Sequence, residues 1–365
     1  MRPANSDFAP ALDYATVGAL PVFSMANLDL YTVAAAGKLR DLAPAALTPE
    51  NLTAPNASGN TPMHAAAKQG GLRDLPPGSL KPLLLSVRNV AGYTPLHHAA
   101  IGGHLDQVPP EFLTEETLSW RSNAGYSVYH LAAAHGHLDQ IPAGLLTLET
   151  VLRKTDLGNT LLHEAAEKGA LDRFPGGFLT AENLAQKNLG GETVLHVAAF
   201  NGHLDQVPAG LLTGPALRET TSAGDSVFHA AAIAGHLEQI PAAFLTHENL
   251  VIASKSGFTA IHAAAETGQL DRIPRAHLTS DLLLTRNDNG DTPLHAAAHE
   301  GHLDQVPPEV LTRENMAVRN YDGISVARIA LDRGHLDQVP ENARPRSVGP
   351  VRRLLHKIGR MRLPF

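Results

Sequence analysis

Eight histidines, His64, His97, His130, His163, His196, His229, His262 and His295, stand at equal intervals along the chain, and six more follow a glycine at His104, His137, His203, His236, His302 and His335. Imidazole is both the commonest metal-ligating side chain and the acid–base group of neutral pH. The series could therefore hold metals or move protons. A reactive site needed once is not copied eight times at equal spacing, so we read the series as structural. His130, His135 and His137 form the one tight cluster, but two of the three belong to the repeat, and we expect no metal there. Acids recur too, at Asp106, Asp139, Asp172, Asp205, Glu238, Asp271, Asp304 and Asp337. Bases recur nine residues ahead of the histidine, at Arg88, Arg121, Lys154, Lys187, Arg286 and Arg319. Such ladders cap turns or bridge neighbouring units, and an exposed pair contributes only about 0–1 kcal/mol. The chain has no cysteine, which removes disulfides and thiolate zinc sites. It shows no phosphate loop, G-x-S-x-G elbow or H-E-x-x-H spacing. The sequence predicts a non-catalytic protein with no cofactor and no metal.

What positions the histidines is one period that runs through the chain. One interval back from His64 lies Tyr31, and one interval on from His295 lies Arg328, giving ten units over about residues 22–342 without an insertion. Ser or Thr stands three residues before the marked position in nine units, among them Thr61, Thr94, Ser127, Thr160 and Ser325. These are helix N-caps. Proline follows in Thr61-Pro62, Thr94-Pro95 and Thr292-Pro293, where its fixed φ suits a first helical position. Six residues after the marked position comes a glycine, such as Gly70, Gly103 and Gly301, a natural left-handed stop. The spacing predicts a helix of about eight residues, too short to stand without packing. Asn, Ser or Thr eight residues ahead (Asn89, Ser122, Thr155, Asn188) with a glycine three residues later (Gly92, Gly125, Gly158, Gly191) predicts a tight, hairpin-like loop.

The stretches "GYTPLHHAAIGGHL" and "GDTPLHAAAHEGHL" resemble the ankyrin repeat in the T-P-L-H-x-A signature. The interval between the histidines also matches that family's period of about 33 residues. The resemblance implies a mainly α solenoid of stacked β-hairpin-loop and helix units, acting as a protein–protein interaction scaffold or adaptor. It also implies that loop tips and the exposed side of the first helix line a concave groove, and that the T-P-L-H histidine makes hydrogen bonds near the loop base. One departure is plain. Where the family runs a long second helix, nine units here place proline twelve residues after the marked position, as at Pro76, Pro109, Pro142 and Pro208. Inside a helix each would cost about 3 kcal/mol. The convex layer is therefore expected to be short helical turns, with proline ending one segment and starting the next. Leu105, Val108, Leu113 and Leu118 should point inward.

On this frame the expected partner-binding residues are Val90, Tyr93, Tyr126, Leu157, Leu189 and Phe258 at the loops, with Tyr321. On the helices they are Ile101, His135, Phe200, Ile233 and His299, with Glu300. Aromatic and apolar side chains there suit a protein or peptide partner. We divide the chain into an N-terminal cap at 1–21, the array at 22–342 and a basic amphipathic C-terminal helix at 343–365. The net charge is −7, yet the stretch 343–365 carries seven bases and no acid. Subtracting those seven from the 29 bases of the chain leaves 22 against 36 acids in 1–342, a net of −14. An acidic array does not suit phosphate wrapping. Two other readings stay open: a nucleic-acid- or membrane-associated factor working through Arg352, Arg353, Lys357, Arg360 and Arg362, and a secreted effector gripping a host protein. With neither a signal-like start nor an apolar run long enough to span a membrane, we expect a soluble, cytoplasmic monomer, or an effector if secreted.

Overall fold

A computed structural model describes residues 29–344. The expected N-terminal cap at 1–21 lies outside those residues, as does the basic tail from 345 onward. Ten short helices recur along the chain: Leu30–Ala35, Pro62–Gln69, Pro95–Gly102, Val128–Ala134, Leu161–Lys168, Val194–Asn201, Val227–Ala234, Ala260–Thr267, Pro293–Glu300 and Val326–Arg333. From Pro62 onward their starts are evenly spaced and keep step with the histidines. Each packs on the next in sequence order, as in a solenoid. Alanine pairs such as Ala99-Ala100, Ala198-Ala199 and Ala297-Ala298 are fully buried between neighbours, so the helices approach closely. Among the described residues no helix is long and apolar enough to cross a membrane.

The nine helices from Pro62 onward begin at the expected Ser or Thr caps. The loops between units do not extend into strands. Among the described residues single antiparallel bridges close five of them, as between Arg121 and Ser127 or Lys187 and Thr193, and the expected hairpin is there a turn with one rung. The reason is local. Asn89 N–H donates to the Tyr93 carbonyl and Tyr93 N–H to Asn89 Oδ1 at 2.9 Å, so the turn satisfies its own polar groups. It then leans on its neighbour, with Val90 N–H donating to the Ser58 carbonyl at 3.1 Å.

The second layer consists of short turns. After Gly103 the chain makes one 3-10 turn at Leu105–Gln107, another at Pro110–Phe112 and a single α-turn at Glu115–Leu118. The role of proline differs in one respect from the expectation. Pro109 caps the second turn in an extended conformation (φ −53°, ψ 135°), and Pro142, Pro208 and Pro241 do the same. Proline breaks the chain between turns; the residue after it begins the next one. Thr114 closes the last turn by accepting from Thr117 N–H at 3.3 Å. Leu105, Val108, Leu113 and Leu118 are all buried, each contributing about 1.5–3 kcal/mol.

Candidate interaction surface

The repeated histidine is the joint between units. Thr61 N–H and the Thr61 hydroxyl both donate to His64 Nδ1, at 3.1 and 2.9 Å. Nδ1 is therefore the acceptor nitrogen, and the proton sits on Nε2, which donates to the Tyr93 carbonyl in the next unit at 3.0 Å. A carbonyl can only accept, so the tautomer is fixed. His97, His163, His196, His229, His262 and His295 repeat the bond to the carbonyl 29 residues on, at 3.0–3.2 Å. His130 turns instead to the Arg153 carbonyl, 23 residues on, at 3.0 Å. Burial holds all eight rings neutral by lowering their pKa, to about 4 for His97, His130, His163 and His262. Among the described residues no three His, Asp or Glu side chains come together as a metal-holding group.

The basic series works in the same direction. Arg88 donates to the Gly92 carbonyl at 2.9 Å and to the Arg121 carbonyl, 33 residues on, at 2.6 Å. Lys154, Lys187 and Arg286 likewise reach the carbonyls of Lys187, Thr220 and Arg319. A further ladder, the glutamine of "LDQ" and of "LEQ" at 237–239, is not among the expectations drawn from the sequence. Gln239 accepts from Leu204 N–H at 2.8 Å and donates to the Gly202 carbonyl at 2.6 Å. It thereby satisfies a donor and an acceptor left over at the helix end of the preceding unit. Gln140, Gln206, Gln305 and Gln338 make the same pair of bonds. The signal was the recurrence of glutamine beside an acid; its partners, 35 and 37 residues earlier, could not be read from spacing.

The residue range 289–315 matches the ankyrin repeat family model. It holds the Thr292 cap, the His295 box and the left-handed Gly301. That stretch is an ankyrin-type repeat, and the helices recurring on either side are consistent with further units of the same type. No curated protein matches it. Ankyrin repeats are protein-interaction modules, and the site to consider is the face these repeats leave open.

That face is not uniformly apolar. Val90 is 72% exposed, Leu157 56%, Leu189 75%, Phe200 53% and Ile233 45%, and His135 is exposed as well. Tyr93, Tyr126 and Phe258 are only half-buried, packed on the core with Ile101. Their rings lie 5.3–6.4 Å from those of His97, His130 and His262. Tyr321 is exposed, with the Arg286 guanidinium 5.9 Å from its ring centre. His299 is partly exposed and its Nδ1 contacts Glu300 Oε1 at 2.5 Å. Phe258, Glu266, Asp291, Ala296, His299, Glu300 and Ile329 line one hollow of about 220 Å³. They mark which positions of a unit face the opening: four before the histidine, and one, four and five after it.

Along the five units from Asn159 to Glu300, those positions hold Glu164 and Glu167, then Glu192 and Asp225, then Glu266, Asp291 and Glu300, against the single base Lys168. Only Glu300 of these was expected from the sequence, because the acids are scattered and one column shows them only once the units are stacked. Glu164 is the extreme case. It is 3% exposed, and its described hydrogen bond is accepted from Asn159 Nδ2 at 2.9 Å. Burial raises its pKa to about 7. Burial, and then the Glu164 charge, push the Tyr126 phenol up to about 12.

Proposed function

We propose that the chain is a ten-unit, non-catalytic scaffold or adaptor that binds a protein or peptide partner along the open face of the repeats. The partner segment is basic and partly apolar. The observation that carries this is the composition of the strip: Phe200 and Ile233 exposed among six solvent-reaching carboxylates and one base, with Leu157 and Leu189 exposed at the loops of the same units. Exposed apolar side chains rimmed by charge of one sign suit a partner of the opposite sign, with the apolar contacts supplying affinity and the charges the encounter rate. The histidines, glutamines and ladder bases are taken up in joining units, which leaves this strip as the part free to vary.

Selection of displayed twelve-residue peptides on the full-length protein tests the reading. Enriched peptides should combine Lys or Arg with Leu, Ile or aromatic residues. Phe200→Ala/Ile233→Ala should weaken them by about tenfold or more. Enrichment of acidic peptides, or binding indifferent to that double variant, would reject the groove.

A further inference from the structure

The described chain ends at Arg344, one residue beyond the last turn, Glu341–Ala343, which packs on the short helix Arg313–Met316 of the unit before the last. Residues 345–365 follow in the sequence with six bases and no acid. In 351–361, Val351, Leu354, Leu355, Ile358 and Met361 recur at helical spacing, with Arg352, Arg353, Lys357 and Arg360 between them. A basic, apolar segment is the partner chemistry proposed above, and the chain carries one of its own. The part of that groove that reaches the final unit is the hollow of Phe258, Ala296 and Ile329, edged by Glu266, Asp291 and Glu300. Ile329, on the helix Val326–Arg333, brings the final unit into that hollow. Residues 345–350 can span up to about 20 Å, and tethering gives such a segment an effective concentration of about a millimolar.

Resting on the groove reading, we propose that residues 351–361 occupy this C-terminal end of the groove, so that an outside partner must displace them. The charges favour this seat over the open end of the last unit. There Leu336 is only partly buried, whereas its counterpart Leu303 is fully buried, and an apolar segment would find cover. That end sets Arg319 and Arg328 against Asp322 and Asp332, Arg328 being paired with Asp332 at 2.7 Å, so it offers a basic segment no excess of negative charge. The groove hollow has Arg333 beside His299 as its nearby cationic group, against three carboxylates.

The absence of cysteine allows a direct test in the full-length chain. One variant carries His299→Cys with Ile358→Cys, and a second carries Leu336→Cys with Ile358→Cys; thermal melts verify that both fold. On mild oxidation the first pair should close within one chain at least about tenfold faster than the second. Adding Glu266→Gln and Glu300→Gln, or about 0.5 M salt, should slow it about fivefold. Faster closure of the Leu336 pair, equal rates, or products only between two chains would overturn the proposal. Displayed peptides that bind while the tail fails to cross-link leave the groove standing and remove the tail from it; failure of both removes both.

Discussion

Two joints in the array are built from the same sequence frame and differ in what crosses them. Between the helices Val194–Asn201 and Val227–Ala234, His196 donates to the Asp225 carbonyl, Gln239 holds Leu204 N–H and the Gly202 carbonyl, and His236 lies over Gly202. A Cβ placed on Gly202 would sit 2.9 Å from the His236 ring. Between Val128–Ala134 and Leu161–Lys168 each element is altered. His130 bonds to Arg153 instead of the carbonyl six residues further on. Ala170 stands where the neighbouring histidine would be, and Arg173 replaces the glutamine. A Cβ on Gly136 would meet only Arg173 Cγ at 3.2 Å and Ala170 Cβ at 3.7 Å. The apolar burial is alike on both sides, with Leu138, Leu171, Leu204 and Leu237 all buried. Burial is thus common to every joint, and the polar crossings set how tightly each one is fastened.

Acid should expose the difference most strongly. The unfolded chain takes up protons at the ordinary imidazole pKa near 6.5, whereas His97, His130, His163 and His262 resist until about 4. The unfolded state therefore binds more protons in that window, and stability rises with pH through it. Going down from 6.5 to 4, each of the four withdraws about 3 kcal/mol at about 1.36 kcal/mol per unit. Glu164 runs the other way, losing stability as pH rises from the usual carboxylate range to about 7, but it is one group against four. Circular dichroism should show a cooperative loss of helix between about pH 6 and 4. Hydrogen exchange along that titration should release the amides of 128–134 before those of 194–201; simultaneous release would erase the distinction between the joints.

Glycine replacement comes next in size. Gly202→Ala forces a side chain into φ +76° and against the His236 ring, with an expected loss of about 2–4 kcal/mol. Gly136→Ala meets the same backbone strain (φ +74°) but only the flexible Arg173 stem, so about 1–2 kcal/mol should be lost. Urea denaturation distinguishes the two, and equal losses would mean that the histidine over the glycine yields freely.

The glutamine crossing comes last, its reverse change being the smallest effect. Gln239→Ala leaves Leu204 N–H and the Gly202 carbonyl without this partner and should cost about 1–3 kcal/mol. The reverse change, Arg173→Gln, should add the crossing to the looser joint and gain about 0.5–1.5 kcal/mol in the same assay. No gain would show that His130 and Ala170 have already shifted that joint beyond the reach of a glutamine.

Much of the frame was written in plain view. The caps at Thr61 and its counterparts, the stops at Gly70 and its counterparts and the short second layer follow from local rules that need no neighbour. The Gln239 crossing, the His236 cover and the column of carboxylates were hidden because each joins residues more than a full repeat apart, or gathers one residue from each unit. Proline misled in a small way: a residue that starts helices in Thr94-Pro95 sits outside the turn at Val108-Pro109, where its extended ψ decides its place. Tyr93, Tyr126 and Phe258 looked like free loop tips, but the tight turn folds them back onto their own histidine boxes.

The glutamine and the glycine-covering histidine both reach backward, from a unit to the one before it. A repeat cassette therefore arrives with its own fastener for the seam on its N-terminal side. Duplicating such a cassette in the gene lengthens the array without asking the older ones to change, and losing one lets its successor grip the next cassette back.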